Sequence, residues 1–182
     1  MAQGPLVRRA AVVVLLLAAV AGCSKKKALT SNLNLENKVE LRSVNLYFES
    51  PDMLLVPERR DVPLPENPAG AIPMVVRELF KGSANPAVPR LFPADIVLRG
   101  AYLLPDGTVF VDVGGQTLTD GWNTGSHQEL MAIESLVQTL VANFEGAHRV
   151  RILVNGSPAE TLGGHVSLSR SLGPMPSLVS TR

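Results

Sequence analysis

The sequence predicts an α+β fold in which two helices pack on one face of a single mixed β-sheet. Alternating apolar residues, typical of half-buried strands, occur at residues 44–48 and 149–154, and two apolar runs occur at residues 96–104 and 109–113. Apolar residues at helical spacing occur in two further segments, residues 73–82 and 126–146. The resulting order is strand, helix, strand, strand, helix, strand, which predicts one sheet covered by one layer of helices.

Length and charge limit what this chain can be. It has 182 residues, with 17 Lys and Arg against 16 Asp and Glu, so it is long enough for one ordinary domain. Because recognition of nucleic-acid phosphates depends on clustered Lys and Arg, the near-zero net charge argues against a nucleic-acid partner. The single cysteine excludes an internal disulfide and a cysteine-rich metal site.

The folded part begins with two extended segments and a helix. Residues 44–48 form the first strand, and the turn signal at residues 50–52 leads into a second extended piece at residues 54–56. Residues 62–73 contain four prolines and are predicted to form an extended loop. The last of these prolines suits the first turn of the helix at residues 73–82.

The strands at residues 96–104 and 109–113 are joined by Pro105-Asp106-Gly107. Proline presets the turn and glycine accepts the positive φ that follows, so a β-hairpin is predicted here. The second helix is expected to begin at Ser126, because Ser126 and Glu129 have the spacing of a capping box.

Gly146 is well placed to end the second helix, and residues 149–154 then supply another strand. Asn155-Gly156 predicts a turn after this strand. Residues 166–168 are expected to add a short strand, and residues 173–182 to form a loose tail.

The first 22 residues have the pattern of a secretory signal peptide. Two arginines precede an uncharged run that is too short to span a bilayer, and the run ends in Ala21-Gly22-Cys23. This ending resembles the lipobox of bacterial lipoproteins, in which the cysteine thiol is lipidated before cleavage. We therefore expect residues 1–22 to be removed, Cys23 to carry a lipid anchor in the membrane, and residues 23–42 to form a polar tether.

Ser24 follows the anchor cysteine. By the sorting rules of diderm bacteria, a residue other than aspartate at this position favours the outer membrane, with the protein on its periplasmic face. In a monoderm bacterium the protein would lie on the outer face of the cell membrane.

No residue pattern predicts a metal or a cofactor. His127, His148 and His165 are scattered, and none has a second ligand at a metal-binding spacing. Ser126 and His127 are neighbours on a helix and do not face each other, which argues against a nucleophile and its base.

Three aspartates and one tryptophan are weaker candidates. Asp106, Asp112 and Asp120 could form a carboxylate group for acid–base work or calcium, but a turn residue and an exposed strand residue explain the first two more simply. Trp122 could stack on a sugar, or it could be a loop residue that covers the edge of the core.

The face of the second helix opposite its apolar stripe has an unusual composition. Opposite its apolar stripe lie Ala132, Ser135, Thr139 and Ala142, all small and uncharged, whereas solvent-facing helix backs are usually charged. One interpretation is a face that docks another envelope protein or a second copy of this chain. The other is a small-residue face left in water.

Together, several segments resemble a GerMN domain, the module named after a sporulation and germination lipoprotein. The resemblance runs from Val44 to Leu172, so the domain is expected at residues 43–172, in one copy where the founding protein has two. It implies a non-catalytic α+β module without a cofactor, similar to ring-building motifs and often held at the envelope by lipid. The matching segments are Val44-Asn45-Leu46-Tyr47-Phe48, Leu55-Val56-Pro57-Glu58-Arg59, Val76-Arg77-Glu78-Leu79-Phe80-Lys81-Gly82, Asp106-Gly107-Thr108-Val109-Phe110-Val111-Asp112-Val113, residues 133–140, and Val150-Arg151-Ile152-Leu153-Val154-Asn155-Gly156.

The expected function is therefore protein–protein contact or assembly by a lipid-anchored envelope protein that is not an enzyme. The alternative is a lipoprotein that binds a cell-wall glycan or a small ligand, with Trp122 and the loop from Asp112 to Asp120 at its site. A cavity beside Trp122 would favour the alternative.

Overall fold

The computed structural model describes residues 39–181 of the chain. The predicted signal peptide, Cys23 and the first part of the predicted tether lie outside the described residues. None of the helices in the described part is both long enough and apolar enough to cross a membrane.

Strands β1 (Val39–Glu49) and β2 (Leu55–Pro65) form an antiparallel hairpin. The alternation predicted for residues 44–48 is confirmed, because the side chains of Val44, Leu46 and Phe48 are buried. β1 also includes residues 39–42, which the sequence assigns to the tether. β2 takes in residues 62–65 of the predicted proline loop, because a strand of a two-stranded sheet has a free edge that tolerates proline.

Helix α1 (Pro68–Phe80) begins five residues before the predicted start. Asn67 caps it by accepting a hydrogen bond from the backbone N–H of Gly70 at 2.7 Å. Pro68 takes the first helical position, so Pro73 lies inside the helix. Several nearby prolines fit a helix start, and the sequence alone led to the wrong one.

Strands β3 (Val97–Leu103), β4 (Thr108–Gly114), β5 (Arg149–Val154) and β6 (Ser157–Pro158) form a second sheet in the order β3-β4-β5-β6. β4 and β5 are parallel and the other pairs are antiparallel, so the prediction of a mixed sheet is confirmed. The predicted β3–β4 turn is also confirmed, with Gly107 at a φ of 79°. A Cβ at this position would lie 2.5 Å from Cδ2 of His148, so glycine is required there.

The α+β fold class is confirmed, but the prediction of a single sheet is wrong. β1 and β2 do not join the other four strands. β1 instead packs along helix α3 (Ser126–Asn143), and both sheets contribute to one buried core. A short helix that the sequence did not predict, α2 (Gln116–Asp120), precedes α3.

Polar side chains of α3 bind the edge of β1 in an arrangement that we call the β1–α3 ladder. Ser135 Oγ donates to the carbonyl oxygen of Tyr47 at 2.6 Å, and Thr139 Oγ1 accepts from the N–H of Tyr47 at 3.1 Å. Asn143 Oδ1 accepts from the N–H of Asn45 at 2.9 Å, and its Nδ2 donates to the carbonyl oxygen of Asn45 at 2.7 Å.

The spacing of the β1–α3 ladder follows from helix and strand geometry. Four residues of a helix rise about 6 Å, and two residues of a strand advance about 6.6 Å. Thr139 and Asn143, four residues apart on the helix, can therefore meet Tyr47 and Asn45, two residues apart on the strand. Ser135, one turn earlier, binds the other backbone group of Tyr47. The helix replaces the neighbouring strand that β1 lacks on this side.

The C-terminal segment is attached to the domain, so the prediction of a loose tail is wrong for the described residues. Leu172 exchanges two backbone hydrogen bonds with Val150, both at 2.8 Å. After a short 3₁₀ turn at Pro176–Leu178, the N–H of Ser180 donates to the carbonyl oxygen of Leu55 at 2.9 Å. The expected short strand at residues 166–168 is not formed.

Thr139→Val tests the β1–α3 ladder. The change conserves shape but leaves the part-buried N–H of Tyr47 without its acceptor, so we expect the free energy of unfolding to fall by about 1–2 kcal/mol. Exchange of the Tyr47 amide hydrogen should accelerate. Urea denaturation and hydrogen exchange followed by NMR measure the two effects.

The matched control is Thr181→Val, at an exposed position near the C-terminus. We expect this variant to be as stable as the unmodified protein. A Thr139→Val protein with unchanged stability and unchanged exchange at Tyr47 would contradict the role assigned to the β1–α3 ladder.

Candidate functional site

The small-residue face of α3 is covered by the chain itself. Ala132, Ser135 and Thr139 are fully buried, and Ala142 is exposed. The prediction that this face binds another protein or a second copy is therefore wrong for the three buried residues. Their small size lets the chain's own strand β1 approach α3.

Trp122 and the aspartates do not form a site. The side chain of Trp122 is 8% exposed and packs into the core, which matches its predicted role of covering the core edge. Asp112 pairs with Arg99 at 3.1 Å, and Asp106 pairs with Arg149 at 2.9 Å. Within residues 39–181, no group of three His, Cys, Asp or Glu side chains could hold a metal ion.

A buried carboxylate near the start of α3 organises the loop that follows β6. Glu129 Oε1 accepts from the N–H of Leu162 at 2.9 Å and of Gly163 at 2.7 Å. Its Oε2 accepts from the N–H of His165 at 2.7 Å and of Val166 at 3.2 Å. Both oxygens are thus occupied by backbone donors, which leaves this carboxylate to hold a loop in place.

Burial alone would raise the pKa of Glu129, but the hydrogen bonds from these four backbone groups outweigh burial and lower the pKa below its ordinary value of 4.5. The predicted capping box is wrong, because Gly125 is the N-cap and no side chain caps the helix.

One sequence signal could have revealed that Glu129 is a buried residue that holds this loop. Glu129 shares a helical face with Ile133, Leu136 and Leu140, so it points into the core.

A second carboxylate of α3 is also buried, but fewer hydrogen bonds offset the cost of burying its charge. Glu134 is 1% exposed, and its Oε2 accepts from the N–H of Met175 at 3.0 Å. Burial raises the pKa of Glu134, and the hydrogen bond from Met175 only partly opposes this shift. The contact attaches the C-terminal segment to the middle of α3.

An ion network joins β2 to the end of α1. Arg60 contacts both Glu58 and Glu78, with a distance of 3.0 Å between its Nη1 and Glu78 Oε1. Its Nη2 also donates to the carbonyl oxygen of Gly82 at 3.1 Å. Burial would raise the pKa of Glu78, but hydrogen bonds from Lys81 and Arg60 lower it. The C-terminal end of α1 is therefore held in a fixed position.

Beside this fixed helix end lies an open cavity of about 460 Å³, which we call the α1–β3 groove. Its lining combines apolar side chains with three basic ones and contains no carboxylate. The lining residues are Arg77, Phe80, Lys81, Arg90, Ile96, Val97 and Leu98.

Two of the basic residues are fixed by contacts that the fold provides. Arg90 donates from Nη2 to the carbonyl oxygen of Phe80 at 2.8 Å and from Nη1 to that of Lys81 at 3.0 Å. These are two of the carbonyl groups that the last turn of a helix leaves without partners. Lys81 is paired with Glu78, whereas Arg77 is exposed on the outer side of α1.

The α1–β3 groove was not predicted from the sequence. Arg77 and Lys81 are four residues apart and lie on one side of a helix, which was a usable signal. Arg90 is separated from them by a proline-containing loop, so its position depends on tertiary structure. None of the residues predicted as interaction or ligand sites lines this groove.

Glu129→Gln tests the carboxylate that holds the loop. The glutamine amide has only one acceptor oxygen, and its NH₂ group would face two backbone N–H groups that need an acceptor. We therefore expect the free energy of unfolding to fall by about 2–4 kcal/mol at pH 7. Because the native pKa is lowered, the stabilisation exists above the unfolded pKa and disappears as pH falls through the native pKa. Urea denaturation should therefore show a smaller difference in stability between the variant and the unmodified protein in acid than at pH 7.

Glu134→Gln is the matched control on the same helix and should behave in the opposite way. Its native pKa is raised, so the contribution of the glutamate is complete below the unfolded pKa and is lost as pH rises through the native pKa. The glutamine variant should therefore be more stable than the unmodified protein at pH 7, and this advantage should vanish in acid. Equal effects of the two variants at every pH would refute both assignments.

Known structures share this fold. Tandem GerMN domains of the sporulation protein GerM from Bacillus subtilis are similar with a TM-score of 0.54 and 18% identity, covering 74% of this chain and 46% of that one. The chain thus spans about half the length of that tandem structure. A candidate lipoprotein from Clostridium perfringens is similar with a TM-score of 0.51 and 15% identity, covering 79% of this chain and 95% of that one.

At these identities the two structures show a shared fold alone. No curated protein sequence matches the chain. The family model Germane, described as sporulation and spore germination, matches residues 45–160. This match covers most of the domain and agrees with the predicted resemblance to GerMN. The chain belongs to the Germane family.

Proposed function

We propose that the protein is a lipid-anchored, non-catalytic component of the bacterial cell envelope that binds another protein through the α1–β3 groove. The groove itself is the observation that carries this proposal. It is open, it has an apolar lining and a basic rim, and its Val97 side chain is 53% exposed. Exposed apolar surface rimmed by polar residues is typical of interaction sites.

The proposed anchor is Cys23, which follows a signal peptide in a lipobox-like pattern. The similar structure from Clostridium perfringens is described as that of a candidate lipoprotein, which agrees with this proposal. In a diderm bacterium, Ser24 favours the periplasmic face of the outer membrane. In a monoderm bacterium the protein would be held on the outer face of the cell membrane.

The use of the buried carboxylates supports a role without catalysis. Glu129 binds four backbone N–H groups, and Glu134 binds one. Both side chains accept hydrogen bonds from backbone of their own chain, and neither lines the α1–β3 groove, whose lining contains no acid, hydroxyl or thiol. A nucleophile paired with a base would be needed for covalent catalysis.

The alternative, a site for a cell-wall glycan or a small ligand at Trp122, has less support. Stacking on a sugar requires an exposed ring, and the Trp122 ring is packed into the core. Neither the α1–β3 groove nor a smaller cavity of about 60 Å³ between β1, β2 and the end of α3 includes Trp122.

Cys23→Ala tests the anchor. Without its thiol the chain cannot be lipidated, so we expect no mature, membrane-bound protein from this variant. Membrane fractionation and immunoblotting measure this. Mass spectrometry of the unmodified protein should find an acylated Cys23 at the mature N-terminus. Ser24→Ala is the control and should remain in the membrane. A mature protein with a free Cys23 thiol would refute the anchor.

Replacing Val97 with a photoreactive benzophenone amino acid tests the interaction site in living cells. Val97 is exposed in the α1–β3 groove, so irradiation should give a discrete adduct with another protein, seen as a shifted band on immunoblots. The control is the same replacement at Met53, which is exposed in the turn between β1 and β2. Adducts of equal yield at both positions, or none at residue 97, would contradict a specific contact at the groove.

A further inference from the structure

We propose that the α1–β3 groove binds an extended acidic segment of the partner protein, and that this segment adds as a strand to the free edge of β3. This inference rests on the proposed function, because it names the kind of protein segment that the groove accepts. Three features of the groove lead to it: its position at a sheet edge, its charge and its apolar lining.

The groove lies at the edge of a sheet. β3 is the outermost strand of its sheet and pairs with β4 on one side only. Val97 and Leu98 are consecutive strand residues whose side chains point to opposite faces, yet both line the groove. The groove therefore reaches the side of β3 at the strand's first two residues, next to the register shift between Leu98 and Gly100, and an outermost strand has unpaired backbone N–H and C=O groups on that side. Extended peptides bind such edges through main-chain hydrogen bonds.

The charge of the groove selects an acidic segment. Arg77, Lys81 and Arg90 line it without any carboxylate among the lining residues. Arg77 is exposed and forms no ion pair in the described part of the chain. Arg90 is already positioned by its two carbonyl acceptors, so it loses little conformational freedom on binding. Opposite charge on the partner would speed and orient docking.

The lining selects apolar residues at alternate positions of the segment. Phe80 and Ile96 are buried beneath the groove, and the Phe80 ring packs on that of Phe92 with centroids 4.8 Å apart. A strand turns alternate side chains to opposite sides, so it can place apolar residues on this lining and acidic ones towards the basic rim. A membrane surface is the less suitable partner, because a flat bilayer contacts protruding residues more readily than a recessed lining.

The test uses mature lipidated protein in neutral detergent micelles and a fluorescein-labelled, end-capped peptide in which glutamate and valine alternate. Fluorescence anisotropy should show saturable binding. Two control peptides separate the contributions. Replacing every glutamate with lysine should abolish binding, because it removes charge complementarity. Methylating the backbone nitrogens on one edge of the peptide should also abolish binding, because it removes the strand's donors and keeps its charge.

Arg77→Glu should weaken binding of the glutamate–valine peptide by at least about fivefold, as expected for reversing one exposed charge at an interface. Arg170→Glu makes the same charge change at an exposed position outside the groove and should leave the affinity unchanged. Circular dichroism of both variants confirms that any loss of binding is not a loss of folding.

Each outcome separates this inference from the proposed function. If the methylated peptide bound with the same affinity as the unmethylated one, strand addition would be overturned. It would also be overturned if inorganic phosphate or glycerol phosphate, added at the same total charge as the peptide, displaced it. That result would indicate a simple anion or lipid-headgroup site. Absence of saturable peptide binding would overturn the inference while adducts at residue 97 preserve the proposed function. Absence of those adducts would instead remove the proposed function.

Discussion

The β1–α3 ladder is the interaction on which the rest of this domain depends. A strand with an unpaired edge normally needs another strand, and here helix side chains supply the missing donors and acceptors. The β1–β2 hairpin can therefore form a layer of its own against α3. As a result α3 is enclosed on several sides, and ten of its residues are buried.

Enclosure of α3 explains the chemistry of its acidic residues. A carboxylate on an enclosed helix must find donors or lose its charge, because an isolated buried charge is strongly disfavoured. Glu129 finds four backbone donors and Glu134 finds one, and their pKa values move in opposite directions accordingly. The same carboxylates fix the loop after β6 and the C-terminal segment. These two acidic side chains thus serve as structural anchors.

The sequence predicted those parts of the fold that depend on local patterns. The β3–β4 hairpin follows from Pro105-Asp106-Gly107, and the length of α3 follows from its apolar spacing and Gly146. It could not predict which surface would cover Ser135 and Thr139, because a small-residue face suits a strand of the same chain as well as another protein. The α1–β3 groove could not be predicted for a similar reason, because only the tertiary structure brings Arg90 beside Arg77 and Lys81.

The direction of β1 has a mechanical consequence under the N-terminal anchor that we propose. Any tension that arrives from that side enters the domain at Val39 and passes along β1. Because the contacts between β1 and α3 are spread along the strand, a pull along the strand axis loads them together in shear. Such a geometry resists extension better than one whose bonds open in succession. In the proposed arrangement, the hairpin carries the load between the anchor and the groove.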